Sequence, residues 1–262
     1  MAHSREVRPH AYEVKFVVPA AVASEIRRWA RAELAPDPHG SGPFGDEYRT
    51  TSLYLDNTTL DVFHRRGSMG RSKYRVRRYG DAGVVFLERK MRQPAVLAKR
   101  RTRISMAGLT QLAPSLHTLV PSFDRSLTAL DRDWSGHWFH RRILARALRP
   151  VCQVSYLRMA RGIFTGSDTV RLTLDCELHA RPALGYQFHD DLGRRIEGPL
   201  PGDAAILELK YRGAAPAAFK RLVEEFALVP QTASKYRMGM LTSMPAPSAH
   251  LAPLYQATEF HA

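Results

Sequence analysis

Charged side chains recur at every second position in five short segments of this sequence. These segments are YEVKF (Tyr12–Phe16), KYRVR (Lys73–Arg77), FLERK (Phe86–Lys90), RLTLD (Arg171–Asp175) and LELKY (Leu207–Tyr211). Side chains alternate across a β-strand, so the charged positions share one face and the apolar positions share the other. Guanidinium and ammonium groups bind phosphate oxygens, the former as a fork and the latter as a point charge. The spacing therefore predicts strands that present a phosphate-binding face.

A few acidic side chains lie among these cations, at Glu13, Glu88, Asp175 and Glu208. Each could form ion pairs with neighbouring cations, or hold a divalent metal that bridges phosphate oxygens. We expect ion pairing at the first three. Glu208 is the expected metal ligand, because its Leu-Glu-Leu-Lys context places it on the last predicted strand, beside Ser234 and Lys235.

An interior lined mainly by cations would destabilise itself when empty. Two unit charges about 7 Å apart repel by about 2.4 kcal/mol at an effective dielectric constant near 20. A phosphate chain removes this cost, since each unit brings roughly one negative charge and several acceptor oxygens. We therefore expect a polyanion to fill the interior.

Composition limits the class of protein. The chain has 262 residues and a formal net charge of +14, which favours an anionic partner such as nucleotide, polyphosphate or nucleic acid. Cys152 and Cys176 are too few for a metal or disulfide framework, so we predict reduced thiols and a cytoplasmic location. No stretch is apolar enough for a membrane span. Phosphate-loop, Rossmann, zinc and nucleophile-elbow motifs are also missing.

The elements around these motifs predict an α+β fold, an antiparallel β-barrel tunnel with a charged lumen, flanked by helices. Predicted strands beyond those above are Thr51–Asp56, Val151–Ala160 and Val170–Leu178. Predicted helices lie between Pro19 and Pro36, at Leu109–Val120, at Trp138–Leu148, at Pro216–Leu228 and from Ser234 onward. We divide the chain into an N-terminal arm (1–10), a tunnel domain (11–244) and a flexible tail (245–262).

Seven motifs in this order resemble the VTC domain, the polyphosphate polymerase branch of the triphosphate tunnel superfamily, from about residue 10 to 242. They are Tyr12–Phe16, Ser52–Asp56, Lys73–Arg77, Phe86–Lys90, Ser155–Arg158, Leu207–Tyr211 and Ser234–Tyr236. The resemblance implies a tunnel that binds a nucleoside triphosphate. It also implies a divalent cofactor, Mn²⁺ or Mg²⁺, and extension of a polyphosphate chain from ATP.

Carried over by position, the resemblance gives roles to individual residues. The implied tunnel-wall cations are Lys15, Arg75, Arg77, Lys90, Arg158 and Arg171. Glu208 is the implied metal ligand, and Ser234 with Lys235 the implied phosphate contact at one mouth. The strand pattern adds the phosphate-binding candidates Lys73, Lys99, Arg101 and Lys210. Among all of these, the predicted catalytic residues are Arg75, Arg77, Lys90 and Lys235. Which of Lys99, Arg100 and Arg101 faces inward depends on a one-residue register.

Two other functions stay open at this stage. A tunnel phosphohydrolase would activate water, and that branch typically opens with Glu-x-Glu-x-Lys; here the first glutamate position is Ala11. A non-catalytic binder of polyphosphate or nucleic acid is the second alternative. A nucleic-acid binder would stack bases on exposed aromatic side chains beside its cations. Tyr74 and Tyr79 are the candidates, but a strand places Tyr74 on the face opposite the cations. Chain extension needs no general base, since the attacking phosphate oxygen is already anionic.

Overall fold

The computed structural model describes residues 6–7, 11–92, 97–112, 134–165, 168–196 and 204–244. Within these ranges the chain forms one antiparallel sheet of eleven strands. The strands are β1 (Glu6–Val7), β2 (Ala11–Pro19), β3 (Ala35–Pro36), β4 (Glu47–Asp56), β5 (Ser72–Tyr79), β6 (Val84–Arg92), β7 (Leu97–Ser105), β8 (Arg149–Thr165), β9 (Asp168–Pro182), β10 (Arg194–Arg195) and β11 (Ala204–Arg212). They pair in the order β1-β7-β6-β5-β4-β8-β9-β11-β2, with β3 on β8 and β10 on β9.

Helices flank this sheet, as predicted. They are α1 (Ala20–Glu33), α2 (His137–Ala145), α3 (Ala217–Glu225) and α4 (Lys235–Ser243). The helix predicted at Leu109–Val120 differs: a 3-10 helix covers Ala107–Leu112, and residues 113–120 lie outside the described ranges. The tail predicted at 245–262 also lies outside them. None of the described helices combines the length and apolar character needed to cross a membrane.

The predicted antiparallel sheet with a charged inner face is confirmed, but strand pairing does not close it. In the described part of the chain, β1 and β7 form one end of the sheet and β2 forms the other. The two ends are close along the chain, because β1 ends at Val7 and β2 begins at Ala11. The sheet curves enough to bring distant strands together, since Lys90 Nζ on β6 lies 2.9 Å from Glu13 Oε1 on β2.

The outer face of the sheet is apolar and is covered by helices in two places. Over β2, β8, β9 and β11, helices α1 and α3 bury a cluster that includes Ile26 and Phe219. Over β4 to β7, helix α2 and the 3-10 helix bury a second cluster, which includes Phe139 and Tyr74. Burial of these apolar side chains is the main favourable term in holding the sheet's shape. Tyr74 therefore faces away from the cations, as predicted.

The inner face carries the charged positions and one helix. Helix α4 packs through Tyr236 and Met240 against a third cluster of inward-facing side chains on β4, β8, β9 and β11. Gly239 allows this close approach, because a Cβ at that position would lie 2.5 Å from a methyl group of Val154. The Tyr236 hydroxyl donates to Asp56 Oδ2 at 2.6 Å, which fixes the helix to the end of β4. Residues at the start of α4 are thereby held inside the curved sheet.

Candidate functional site

A buried carboxylate on β6 contacts three cations from the two adjacent strands. Glu88 pairs in register with Arg75 on β5 and with Arg101 on β7. Its carboxylate lies 2.6 Å from Arg75 Nε, 3.2 Å from Arg101 Nε and 3.4 Å from Lys99 Nζ. Burial alone would raise the pKa of Glu88, but Arg75 and the other cations hold it well below its usual range. One ionised carboxylate thus faces three cations, which leaves positive charge for a ligand.

Arg77 lies on the same inner face, one step along β5. Its side chain is buried, and its Nε donates to Ser52 Oγ at 3.0 Å. Its guanidinium also lies over the ring of Tyr79, 5.8 Å from the centroid. Within the described ranges Arg77 makes no ion pair. It is therefore a buried cation on which Glu88 acts only at longer range.

Two glutamates on the β2–β11 pair hold a cluster of lysines. Glu13 Oε1 lies 2.9 Å from Lys90 and also contacts Lys15, while Oε2 lies 3.8 Å from Lys210. Glu208 lies 3.1 Å from Lys15 and 3.2 Å from Lys210. Burial raises and the lysines lower the pKa of each carboxyl, and the net direction is downward for both. Both glutamates are thus ionised and shared among several ammonium groups.

Lys235, at the start of α4, joins this lysine cluster to a buried arginine. Its Nζ lies 3.1 Å from Glu208 Oε1 and 2.6 Å from Asp175 Oδ2. Arg158 holds the same Asp175 from the neighbouring strand at 2.6 Å. The ring of Tyr156 packs against both cations, 5.3 Å from the Arg158 guanidinium and 5.1 Å from the Lys235 ammonium. The helix therefore supplies a cation that the sheet alone does not place.

Lys73 differs from the other inner-face lysines in its partner. It lies on β5, and its Nζ donates to Ser234 Oγ at 2.9 Å. Burial, with repulsion from Lys90, Lys15 and other cations, lowers the pKa of Lys73 to about 7. Among the described residues it has no carboxylate at ion-pair distance. Lys73 is thus easier to deprotonate than an ordinary lysine.

Arg171 lies at the margin of the inner face. It pairs across the sheet with Lys210 on β11. Its guanidinium contacts Asp37 at 2.9 Å and donates to the Tyr48 hydroxyl at 2.8 Å. The loop after α1 and the start of β4 therefore position this arginine.

The register of β7 decides which of its basic residues face inward. Lys99 and Arg101 both contact Glu88 on the inner face. Arg100 points to the other side, with its guanidinium 4.3 Å from the centroid of the Trp138 ring on α2. The alternation of the strand thus settles a choice that the sequence left open.

The sequence predicted that repulsion between cations would destabilise the inner face without a ligand, and the structure corrects this prediction. Every acid that the sequence pattern placed on the inner face is shared by two or three cations, as described above for Glu13, Glu88, Asp175 and Glu208. These contacts offset much of the repulsion between the cations. The structure brings all the predicted site residues to one curved surface, and their roles in binding and catalysis stay predictions.

Three hydroxyl groups on the inner face were not predicted from the sequence, those of Tyr156, Thr50 and Thr173. All three side chains are fully buried, and no hydrogen-bond partner lies within reach of their oxygens among the described residues. Thr173 lies between Arg171 and Asp175 in the alternating pattern, so the alternation of the strand already predicted that it faces inward. Tyr156 was harder to assign, because β8 has an irregular register between Ser155 and Leu157.

The donor set decides what kind of metal site the inner face could form. No three His, Cys, Asp or Glu side chains come together as ligands within the described ranges. Glu208 faces ammonium groups with both of its carboxylate oxygens. Mg²⁺ is often held by one or two carboxylates, with substrate phosphates and waters as the other ligands. The residues present fit a cation of that kind, and they do not fit a site made of protein ligands alone.

The chain matches a known protein family over most of its length. The family model of the VTC domain matches residues 10–244. A search of curated proteins finds no match. Among solved structures, a proposed adenylate cyclase from Bacillus halodurans is 15% identical, with a TM-score of 0.49 over 87% of this chain and 97% of the other.

Two further solved structures show a similar degree of likeness. A proposed adenylate cyclase from Vibrio parahaemolyticus is 11% identical, with a TM-score of 0.42 over 88% of this chain and 97% of the other. A candidate adenylyl cyclase from Hippeastrum, described as having a dominant triphosphatase activity, is 15% identical, with a TM-score of 0.44 over 90% and 97%. The family match covers nearly the whole chain and coincides with the strands and helix that form the inner face. The chain belongs to the VTC domain family.

Proposed function

We propose that this protein is a polyphosphate polymerase, which transfers the γ-phosphate of ATP to the end of a polyphosphate chain on its basic inner face. The observation that carries the proposal is the sharing of each inner-face carboxylate by several cations. Arg75 and its neighbours hold the pKa of Glu88 well below its usual range, and Lys235, Lys210 and Lys15 do the same for Glu208. A carboxylate with such a low pKa is a poor general base for water. A terminal phosphate oxygen needs no base, so this surface favours transfer to phosphate over hydrolysis.

The cations of the inner face would bind and orient both substrates. Arg77 has no ion pair with a carboxylate among the described residues, so it is the first cation available to a triphosphate. Arg75 and Arg158 offer guanidinium groups that stay charged at any pH. Charge neutralisation and in-line positioning are the main contributions that a protein makes to phosphoryl transfer.

A divalent cation, Mn²⁺ or Mg²⁺, is part of the proposal. Such an ion neutralises charge that develops on the phosphate oxygens. Glu208 would hold it, because this carboxylate lies between Lys15, Lys210 and Lys235, where the phosphate chain is expected to run. The three lysines would then turn from Glu208 to the phosphates.

Incubation of the purified chain with ATP and Mn²⁺ or Mg²⁺ tests the function. We expect polyphosphate on a gel and ADP in solution, in amounts that match the phosphate incorporated. Release of free phosphate without polymer would instead support a phosphohydrolase. If neither polyphosphate nor free phosphate forms but tripolyphosphate still binds, the protein is a non-catalytic binder.

Thermal stability separates phosphate binding from nucleic-acid binding. A ligand that binds only the folded state stabilises it by about 2.7 kcal/mol at a hundredfold excess over Kd. We expect tripolyphosphate and ATP to raise Tm by several degrees, and AMP to raise it much less. A change from ATP to GTP should matter less than removal of phosphates. A Tm that rises with oligonucleotides and not with tripolyphosphate would contradict the proposal.

A further inference from the structure

The contact between Lys73 and Ser234 has the geometry of a base and a nucleophile. The two side chains come from distant parts of the chain, β5 and the N-terminus of α4, and their Nζ and Oγ atoms lie 2.9 Å apart. A serine hydroxyl is a weak nucleophile until a neighbouring base removes its proton. Ser234 is partly exposed on the inner face, so a phosphate can approach its oxygen.

Lys73 is the inner-face lysine best suited to act as that base. Lys15, Lys90, Lys99, Lys210 and Lys235 each contact at least one carboxylate, which favours the charged ammonium form. The described residues offer Lys73 no such partner. Burial and the neighbouring cations bring its pKa to about 7, so a large fraction of the side chain is neutral near pH 7.

The position of Ser234 also favours a phosphorylated product. Ser234 is the N-cap of α4, and its Oγ accepts a hydrogen bond from the backbone N–H of Arg237. A phosphate at a helix N-terminus is stabilised by the free N–H groups and by the helix dipole. Lys235, the next residue, is held in place by Asp175 and Glu208. A phosphate on Ser234 would therefore be surrounded by positive charge.

We infer that Ser234 is a phosphoryl acceptor, which Lys73 activates and which receives the γ-phosphoryl group of ATP before a polyphosphate end does. This inference rests on the proposed use of ATP. A bond forms between Ser234 Oγ and the γ-phosphorus as the bond from that phosphorus to the β-phosphate oxygen breaks. ADP leaves with the electron pair, and Lys73 takes the hydroxyl proton. When a terminal polyphosphate oxygen then attacks the phosphoserine, the Oγ–P bond breaks and Lys73 returns the proton.

Labelling of the full chain with [γ-³²P]ATP and Mn²⁺ tests this step. The reaction is stopped by denaturation, free and bound polyphosphate is removed with an exopolyphosphatase, and the remaining label is mapped by mass spectrometry. We expect phosphoserine at position 234, and its label should decrease when unlabelled polyphosphate is added before the stop. This chase distinguishes an intermediate from an inert modification.

The variants are chosen to keep the helix cap. Asparagine is as good an N-cap as serine, so Ser234→Asn should preserve α4 and lose the label entirely. Lys73→Met should reduce the label by about a hundredfold, the scale of general base catalysis. Ser243→Ala, at the other end of the same helix, is the matched control and should label normally.

The outcomes separate this inference from the polymerase proposal. Polymer formed at the normal rate by Ser234→Asn, or by a wild-type chain without label on Ser234, would overturn the inference and leave the polymerase intact. Label on Ser234 without polymer would support the inference and contradict the polymerase. Label that persists unchanged in Lys73→Met would remove Lys73 from the step.

Discussion

Arg158 and Asp175 form a two-point ion pair inside the sheet, with Nε–Oδ1 at 2.6 Å and Nη2–Oδ2 at 2.7 Å. The two residues face each other on β8 and β9, and both are buried. Lys235 contacts the same carboxylate from α4. This pair therefore links the wall of the site to the helix that completes it.

Loss of this carboxylate should destabilise the fold. Asp175→Asn leaves Arg158 and Lys235 as buried cations without their shared partner. Removal of one member of a buried ion pair costs about 3 to 5 kcal/mol. We expect a large fall in the urea midpoint, partly reversed by tripolyphosphate, which would supply the missing negative charge. A midpoint within experimental error of wild type would show that the pair contributes little.

Arg75 and Arg77 should respond differently to the same substitution. Both lie on the inner face, where we propose that the phosphates bind, so Arg75→Met and Arg77→Met should each abolish most polymer synthesis. Arg75→Met also removes a partner of buried Glu88 and should lower Tm. Arg77→Met removes no direct ion pair among the described residues, only a hydrogen bond to Ser52 and a longer-range attraction to Glu88, so its Tm should fall less than that of Arg75→Met. Synthesis at wild-type rates in both variants would contradict their assignment to the site.

Glu208→Gln should separate the metal role from the ion-pair role. Neutralisation frees Lys15, Lys210 and Lys235, so metal-free affinity for tripolyphosphate, measured by calorimetry, should rise. Polymer synthesis should fall severely, and higher Mn²⁺ should restore part of it. Full synthesis that does not depend on Mn²⁺ concentration would leave Glu208 as an ion-pair partner only.

Binding should weaken as pH rises from 7 to 9. Burial, with Lys15 and Lys210 opposing Glu13, lowers the pKa of Lys90 to about 8. A bound phosphate raises this pKa, so binding takes up a proton. The affinity for tripolyphosphate should fall by up to about tenfold per pH unit above pH 8. Lys90→Arg, which stays protonated, should have a shallower dependence.

The lowered pKa values of Lys73 and Lys90 also make the stability of the ligand-free protein depend on pH, and this stability should increase as the pH rises. Between their folded pKa values and the ordinary value of 10.5, the unfolded chain binds protons that the folded chain does not. Their contribution to the free energy of unfolding therefore rises with pH in this window, and their destabilising effect is complete below about pH 7. Urea titrations of wild type and Lys73→Met between pH 7 and 10 measure the difference. Parallel curves for the two proteins would show that the pKa of Lys73 is ordinary.

Two buried tyrosines provide a matched test of the inner face. Tyr156 and Tyr74 are both fully buried, and neither hydroxyl has a partner within the described ranges. Tyr156 lies beside Lys235 and Arg158, whereas Tyr74 lies in the outer cluster. Neither Tyr156→Phe nor Tyr74→Phe should lower Tm, because no hydrogen bond is lost. Only Tyr156→Phe should weaken tripolyphosphate binding, by about tenfold. Equal affinities in the two variants would place the Tyr156 hydroxyl outside the site.

Local periodicity predicted much of this site. Alternation at period two placed Arg75 and Glu88 on the same face, and the short turn between β5 and β6 brought them opposite each other. The same alternation put Tyr74 on the outer face. These features depend only on the geometry of a strand and a hairpin, so they can be predicted from the sequence alone.

Other features depend on how the sheet bends and could not be predicted. The contact between Glu13 and Lys90 joins strands at distant places in the sheet, and no pattern within either strand indicates it. The placement of α4 was hidden because its buried positions include Lys235 and Gly239 as well as apolar residues, so no apolar stripe marks the face. Which carboxylate neutralises which cation follows from these long-range contacts.

The pairing of β2 with β11 has a consequence for how the protein folds. The earliest long strand of the sheet finds its partner only when the last strand has been made, and α4 follows later still. Contacts between such distant parts of a chain slow folding, because a long loop must close before they form. During synthesis β2 therefore stays unpaired until β11 has been made, and the contacts of Lys15 and Glu13 with β11 form late. The charged inner face is assembled only after its most distant strands have met.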